Sequence, residues 1–441
     1  MSASRYSQTP MTGRYRAPSS GGAVAATVSI PGSKSLTNRE LILASIADGA
    51  GRISLPLHSD DSRNMIQALR TLGIGIEEVE GDGAFGPDLL VTPAPLTGAA
   101  TVDCGQAGTV MRFIAPLAGL ASADVHMTAH ETALHRPMGT MITALRDLGI
   151  DVDDEGTWAL PFTVRGHGRI RGGRLEIDAS GSSQFVSGLL LAAPRFDVGL
   201  HLVHTGDTLP SLPHIDMTIE ALSLRGIHVE RPAHGEWLVQ AGVPRAKDVT
   251  IEPDLSNAAP FLAAAVITGG EVTVTDWPRH STQPGALLAD ILRGLGAHVN
   301  RQAGALTVRA GERIRGGELD LSAASELTPT IVGLAAFADS PVTIRGVAHI
   351  RGHETDRIAA LANNLRGLGG HVDELDDGLR VHPVPLHGGE WKAFHDHRIA
   401  TTGALVGLRT PGVEIDDIGT TAKTLPEFVP LWEQMLGGES A

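Results

Sequence analysis

The sequence predicts an α/β protein of two domains, each made of three small α/β units. Three observations lead there. First, leucines at helical spacing run into a glycine and then a β-type run, five times along the chain, at residues 68–74, 144–150, 221–227, 291–297 and 364–370. Glycine just past the last helical residue is the commonest helix stop. Second, the glycines fall at 73, 149, 226, 296 and 369, in steps of 76, 77, 70 and 73, so six units fill the chain, the sixth being less distinct. That period exceeds those of solenoid repeats, so each unit is a subdomain with its own strands and helices. Third, Arg169-Ile170-Arg171-Gly172-Gly173 returns as Arg313-Ile314-Arg315-Gly316-Gly317, about two units later. Under that offset Ser182 matches Glu326, so corresponding loops of the two halves carry different chemistry.

The elements follow in order. Residues 1–22 contain no acidic residue and no apolar signal-peptide core, which predicts a flexible cytoplasmic tail. A strand-like run over 26–30 ends at Pro31-Gly32, where Ser33-Lys34-Ser35-Leu36-Thr37-Asn38-Arg39 leads into an apolar helix. Ser33 or Ser35 can cap that helix, and its first N–H groups attract anions. Only four of the 35 basic residues are lysines, at 34, 247, 392 and 423, and one of them sits in this turn. Lysine is a compact charge that can also move protons. The motif lacks the Gly directly before Lys that a P-loop requires.

Further polar turns precede apolar helices. Cys104-Gly105-Gln106-Ala107-Gly108-Thr109 opens a stripe of Val110, Phe113, Ile114 and Leu117, with Arg112 off the stripe. Arg136 lies in the loop before Pro137. Ser182, Ser183 and Gln184 precede another apolar helix, and Ser211 sits in a Pro-rich loop. The second half starts near residues 249–254. Glu326 opens the helix that follows it, and Glu354 and Arg357 are i, i+3 at the start of the next. His395 and His397 show no third ligand, so no metal is assigned there. Taken singly, each of these is equally readable as a cap, a tight packing turn or a solvated charge. Together, Lys34, Arg39, Arg112, Arg136, Arg357, Arg398 and Lys423, with Glu326 and Glu354, describe a cationic site holding two carboxylates. That composition suits anionic substrates and acid–base chemistry between them. With two domains of three units, the ligand is expected between the halves.

Composition bounds the alternatives. The net charge of −15 and 4% aromatic content disfavour nucleic-acid binding. No apolar run approaches the ~20 residues of a membrane span. A single cysteine, Cys104, excludes an internal disulfide framework.

From about residue 26 to 430 the motifs resemble, in order, those of the 5-enolpyruvylshikimate-3-phosphate synthases: Pro31-Gly32-Ser33-Lys34-Ser35 with Asn38-Arg39, Ala107-Gly108-Thr109 with Arg112, Ser182-Ser183-Gln184-Phe185, Glu354-Thr355-Asp356-Arg357, Asp396-His397-Arg398 and Lys423-Thr424. The resemblance implies a two-domain inside-out α/β barrel, each domain of three βαβαββ repeats, joined by a double-crossover hinge. Residues 31–252 would form one domain, and residues 23–30 with 253–441 the other. It implies transfer of a carboxyvinyl group from phosphoenolpyruvate to the 5-hydroxyl of shikimate 3-phosphate, with no metal or organic cofactor, by a cytoplasmic monomer. By position, Lys34, Gly108, Arg136, Gln184, Arg357, Arg398 and Lys423 would hold phosphoenolpyruvate. Ser35, Arg39, Ser182, Ser183, Gln184, Ser211, Glu326 and His353 would hold shikimate 3-phosphate, and Lys34, Glu326 and Glu354 would be catalytic. The family commonly has Asp where this chain has Glu326, Lys where it has His353 and Asn where it has His349. Gly108 keeps the small residue associated with glyphosate sensitivity. The sister UDP-N-acetylglucosamine enolpyruvyl transferases typically carry a reactive Cys in a mobile loop, which Cys104 does not match. A non-catalytic binding protein on the same scaffold would have lost the charged residues retained here.

Overall fold

The computed structural model describes residues 13–437, which divide into two compact units: Gly32–Ile251, and the residues up to Pro31 together with those from Glu252 onward. In Gly32–Ile251 the chain runs α1 (Lys34–Ser45), strand Gly51–Ser54, α2 (Asp60–Thr71) and the hairpin Gly75–Val79/Asp88–Thr92. It then forms strand Ala100–Asp103, α3 (Gly108–Gly119), strand Val125–Thr128, α4 (Gly139–Asp147) and a hairpin ending at Phe162–Val164. The third repeat is strand Gly173–Ile177, α5 (Ser183–Ala192), strand Leu200–His204, α6 (Leu212–Leu224) and a hairpin ending at Glu236–Val239. Each sheet pairs its first two strands in parallel across a helix, and the far hairpin strand joins antiparallel. The first repeat has no preceding strand of its own. Val249–Thr250 fills that place, pairing in parallel with Ile53 and Ser54.

The other unit mirrors this. Strand Ala25–Val28 pairs in parallel with Glu271–Val274, the strand after α7 (Ala259–Thr268). α8 (Leu288–Gly294) and the hairpin His298–Gln302/Ala305–Arg309 complete that sheet. Strand Gly317–Asp320, α9 (Thr328–Ala335), strand Val342–Arg345, α10 (Arg357–Gly367) and the hairpin His371–Leu375/Gly378–His382 form the next. The last repeat has strand Gly389–Trp391, α11 (His397–Gly407), strand Val413–Ile415 and α12 (Phe428–Gly437), with no hairpin among the described residues.

Two expectations are corrected here. The sixth repeat is βαβα, and its third strand is Tyr15–Arg16, antiparallel to Val413–Ile415. The flexible tail expected over 1–22 is therefore anchored from Tyr15, which is 5% exposed, because that strand's open edge needs a hydrogen-bonding partner. Residues 1–12 of the expected tail lie outside the described residues.

Helices α1, α3 and α5 pack on one another and are buried on nearly every face, as are α7, α9 and α11 in the other unit. The helices thus form the core of each unit. Phe113, Ile114 and Leu117 of α3 are fully buried, each burial worth roughly 1.5–3 kcal/mol. The second helix of each repeat is amphipathic instead, and the five repeat glycines follow α2, α4, α6, α8 and α10 with φ of +96°, +83°, +78°, +98° and +85°. A side chain at those angles would be strained, which is why glycine marks the period. Among the described residues no helix is long and apolar enough to cross a membrane.

Candidate active site

In Gly32–Ile251 the predicted residues gather at the starts of the buried helices. Ser33 caps α1, its hydroxyl accepting from the Leu36 N–H at 3.5 Å. Lys34 Nζ lies 3.0 Å from Asp61 Oδ2, a carboxylate only 2% exposed in the first turn of α2. Ser35 is half-buried beside it. Arg39 is 1% exposed. Its Nε donates to Thr218 Oγ1 at 2.8 Å, Nη1 to the Ser35 carbonyl at 2.8 Å, and Nη2 to the His214 carbonyl at 2.9 Å and to Ser187 Oγ at 3.3 Å. Burial pulls its pKa down. In this structure Arg39 therefore braces the Ser35 turn against α5 and α6, with its donors engaged by protein acceptors.

Gly108 opens α3. A Cβ there would lie 2.7 Å from Arg112 Nη1 and 2.8 Å from Arg136 Nη2, so the missing side chain lets two guanidiniums converge on a helix N-terminus. Arg112 donates to the Gly108 and Pro137 carbonyls at 3.2 Å each and to Gln184 Oε1 at 3.5 Å. Arg136 Nη1 donates to the Gln106 carbonyl at 3.2 Å, and its Nε is buried without a hydrogen-bond partner. Gln184 reaches this group because α3 and α5 pack closely. A Cβ on Gly188 would lie 2.4 Å from the Arg112 carbonyl. Ser182 caps α5, accepting from the Gln184 N–H at 3.2 Å, with Ser183 buried behind it. Ser211 precedes α6 with a left-handed backbone, φ 53°, a conformation costing roughly 1–2 kcal/mol for a residue with a side chain.

The other unit gathers carboxylates and cations. Arg357, 2% exposed at the start of α10, donates through Nε to Asp396 Oδ2 at 2.7 Å and through Nη2 to Glu354 Oε2 at 2.9 Å. Lys423 Nζ donates to the other Glu354 oxygen, so Glu354 is clamped between two cations. Arg357 Nη1 meets His353 Nδ1 at 3.0 Å, a contact that needs an unprotonated Nδ1. Asp396 also caps α11, accepting from the Arg398 N–H at 2.9 Å. Burial opposes the charge on Arg357, but Asp396, Glu354 and Glu326 outweigh it and raise its pKa. Arg398 is shifted down, by burial and then by Arg357. Glu326, 8% exposed, accepts from Ser256 Oγ at 3.1 Å. Beside it His349 Nε2 lies 2.8 Å from Ser325 Oγ, and burial lowers the His349 pKa.

The family model for EPSP synthase (3-phosphoshikimate 1-carboxyvinyltransferase) matches residues 18–432. The chain belongs to the EPSP synthase family. A curated relative from Kocuria rhizophila, named 3-phosphoshikimate 1-carboxyvinyltransferase, is 51% identical over 424 residues, covering 95% of each chain. Among solved structures, an EPSP synthase from Acinetobacter baumannii superposes with a TM-score of 0.79 at 23% identity, covering 96% of this chain and 98% of that one. The enolpyruvyl transferase NikO from Streptomyces tendae gives 0.73 at 18% identity over 97% and 98%. These structural likenesses bear on the fold, and they agree with the predicted two-domain α/β class.

Three further residues, Asp61, Asp396 and Ser256, support the site of this EPSP synthase family member. Nothing local in the sequence ties Asp61 to Lys34 or Asp396 to Arg357, and only the fold sets them together. Ser256 lies far from Glu326 in sequence, and only the turn before α7 brings it near. The Asp254 carboxylate holds that turn through the Ser256 and Asn257 N–H groups, and Asn257 in turn donates to the Thr424 carbonyl at 3.0 Å, beside Lys423. Cys104 is buried, and burial raises its thiol pKa well above the usual range, which disfavours a reactive thiolate.

Proposed function

We propose that this protein transfers the carboxyvinyl group of phosphoenolpyruvate to the 5-hydroxyl of shikimate 3-phosphate, releasing phosphate. The observation that carries the reading is the half-buried Glu354 carboxylate clamped by Lys423 and Arg357. A carboxylate held between cations can exchange a proton while its neighbours bind an anion. Full-length similarity to the Kocuria rhizophila transferase supports the substrate pair.

In the proposed mechanism Glu326 takes the proton of the 5-hydroxyl as its oxygen attacks C2 of phosphoenolpyruvate. Lys34 and Glu354 serve the methylene carbon, protonating C3 during addition and removing a proton from it as phosphate leaves. The C2–O bond to the acceptor forms, the C2–O bond to phosphate breaks, and the double bond is restored. Lys34, Gly108, Arg136, Gln184, Arg357, Arg398 and Lys423 hold phosphoenolpyruvate. Ser35, Arg39, Ser182, Ser183, Gln184, Ser211, Glu326 and His353 hold shikimate 3-phosphate, and Arg39 also steadies the Ser35 turn. Developing negative charge meets preorganised donors, the largest single source of rate in such sites. The same reading gives a cytoplasmic monomer with no resident cofactor.

The test mixes purified protein with both substrates, without added metal, and follows phosphate release. Release that requires both substrates is expected. A folded protein that releases none overturns the reading, and the assay is then repeated with UDP-N-acetylglucosamine as acceptor.

A further inference from the structure

The hairpin after α10 carries a side-chain group that the proposed reaction does not use. His371 and Asp373 are i, i+2 on one strand and share a face, and His382 stands directly across from His371 in the register. The alternate residues Val372 and Val381 are buried, so the three polar side chains occupy the outer face. His382 Nε2 lies 2.8 Å from Asp373 Oδ2, and His371 Nε2 lies 3.7 Å from Asp373 Oδ1. The two imidazoles stack with centroids 4.2 Å apart at 15°. One ligand atom from each of the three residues lies within 4.8 Å of the others, and no other group of three His, Cys, Asp or Glu does so among the described residues.

An exposed ion pair accounts for only part of this. Asp373 and His382 form such a pair, but His371 is drawn onto the same carboxylate at a longer distance and stacked on the second ring. Two imidazoles and one carboxylate on one face make a tripod, the ligand count that leaves positions for water. Ligand atoms around a tetrahedral ion at about 2.0–2.1 Å lie roughly 3.3 Å apart. Side-chain rotation of exposed residues can close the remaining gap.

We propose that His371, Asp373 and His382 form a surface site for a divalent transition ion of the zinc class, completed by water. Imidazole donors favour Zn²⁺, Ni²⁺ and Cu²⁺ over Mg²⁺ or Ca²⁺. Arg380, across from Asp373 on the same face, opposes a cation, and its exposed side chain must swing aside. The ion bridges the two strands at their His371–His382 pair and so clamps the hairpin. It lies beyond the far end of α10 from Arg357, a helix of 11 residues and thus about 16 Å long, so binding leaves the reaction groups untouched.

The experiment titrates the metal-stripped full chain with Zn²⁺ by calorimetry, and with Co²⁺ by visible absorption. One equivalent is expected to bind and to raise the melting temperature, with Mg²⁺ unable to compete. His371→Ala and His382→Ala should each weaken binding at least tenfold. The double variant should lose the Zn²⁺-dependent rise in melting temperature while keeping the metal-free one. Turnover should stay within about twofold throughout. No Zn²⁺ uptake by the parent chain overturns the proposal, as does unchanged binding in the double variant.

Discussion

The two units share one repeat yet hold different chemistry. In Gly32–Ile251 the candidate residues are hydroxyls, an amide and arginines at helix starts, fixed by Ser33, Ser182 and the buried Arg39. In the other unit they are carboxylates and cations in direct contact: Glu354 with Lys423 and Arg357, and Arg357 with Asp396. A helix start offers donors of fixed sign, which suits binding an anion. Proton transfer needs groups whose charge can change, and those must be held by partners that set it. Under the proposed mechanism, a repeated scaffold divides positioning from proton chemistry by changing only what stands at the helix starts.

Lys34 is the exception, proposed as a proton-moving group although it stands in Gly32–Ile251, and it offers the sharpest way to break the comparison. Lys34→Met is expected to abolish turnover, a loss of about 10⁴-fold or more, because proton transfer and charge stabilisation go together. The variant also strips Asp61 of its cation, so circular dichroism must show a folded chain. Retained phosphate release would place all the acid–base chemistry in the other half. Next in size is Glu354→Gln, expected to lower kcat by ~10²–10⁴ with KM little changed. A fall confined to KM would make the clamp a binding device.

Gly108→Ala tests the binding half. Its Cβ would press on Arg112 and Arg136, whose side-chain ends can shift. KM for phosphoenolpyruvate should rise by roughly tenfold, about 1.4 kcal/mol, with the fold intact. Glyphosate, expected to compete with phosphoenolpyruvate in the parent, should inhibit this variant less. Inhibition of both at equal glyphosate concentration would remove Gly108 from that site.

The smallest effect concerns His349. Its folded pKa lies below 6.5, so the folded chain holds the neutral ring more strongly than the unfolded chain does. The associated stability is present above pH 6.5 and is lost as pH falls through the folded value. His349→Asn should flatten that part of the melting-temperature profile, and an unchanged slope below pH 6.5 would assign it to other groups.

Much of the fold was legible because the five repeat glycines report a backbone requirement, a left-handed residue after each amphipathic helix, that no other side chain meets as well. The sixth repeat was hidden because it borrows Tyr15–Arg16, two residues with no periodicity to read. The candidate residues were legible as charged or hydroxyl side chains at helix starts, but not their partners. Arg39 was legible as a cation near a helix start, but nothing in its neighbourhood in sequence announces Thr218, Ser187 and the His214 carbonyl. Asp61 and Ser256 were not legible as site residues, since their contacts to Lys34 and Glu326 arise only from tertiary packing.

The strand pairings also bear on how the chain is made. Ala25–Val28 leaves the ribosome early but has its sheet partner only once Glu271–Val274 is synthesised. The whole of Gly32–Ile251 is made in between, and its own first sheet closes only as Val249–Thr250 emerges. The nascent chain therefore completes its middle before its beginning. An early strand with an open edge must stay unpaired throughout, which exposes it to wrong pairing during synthesis.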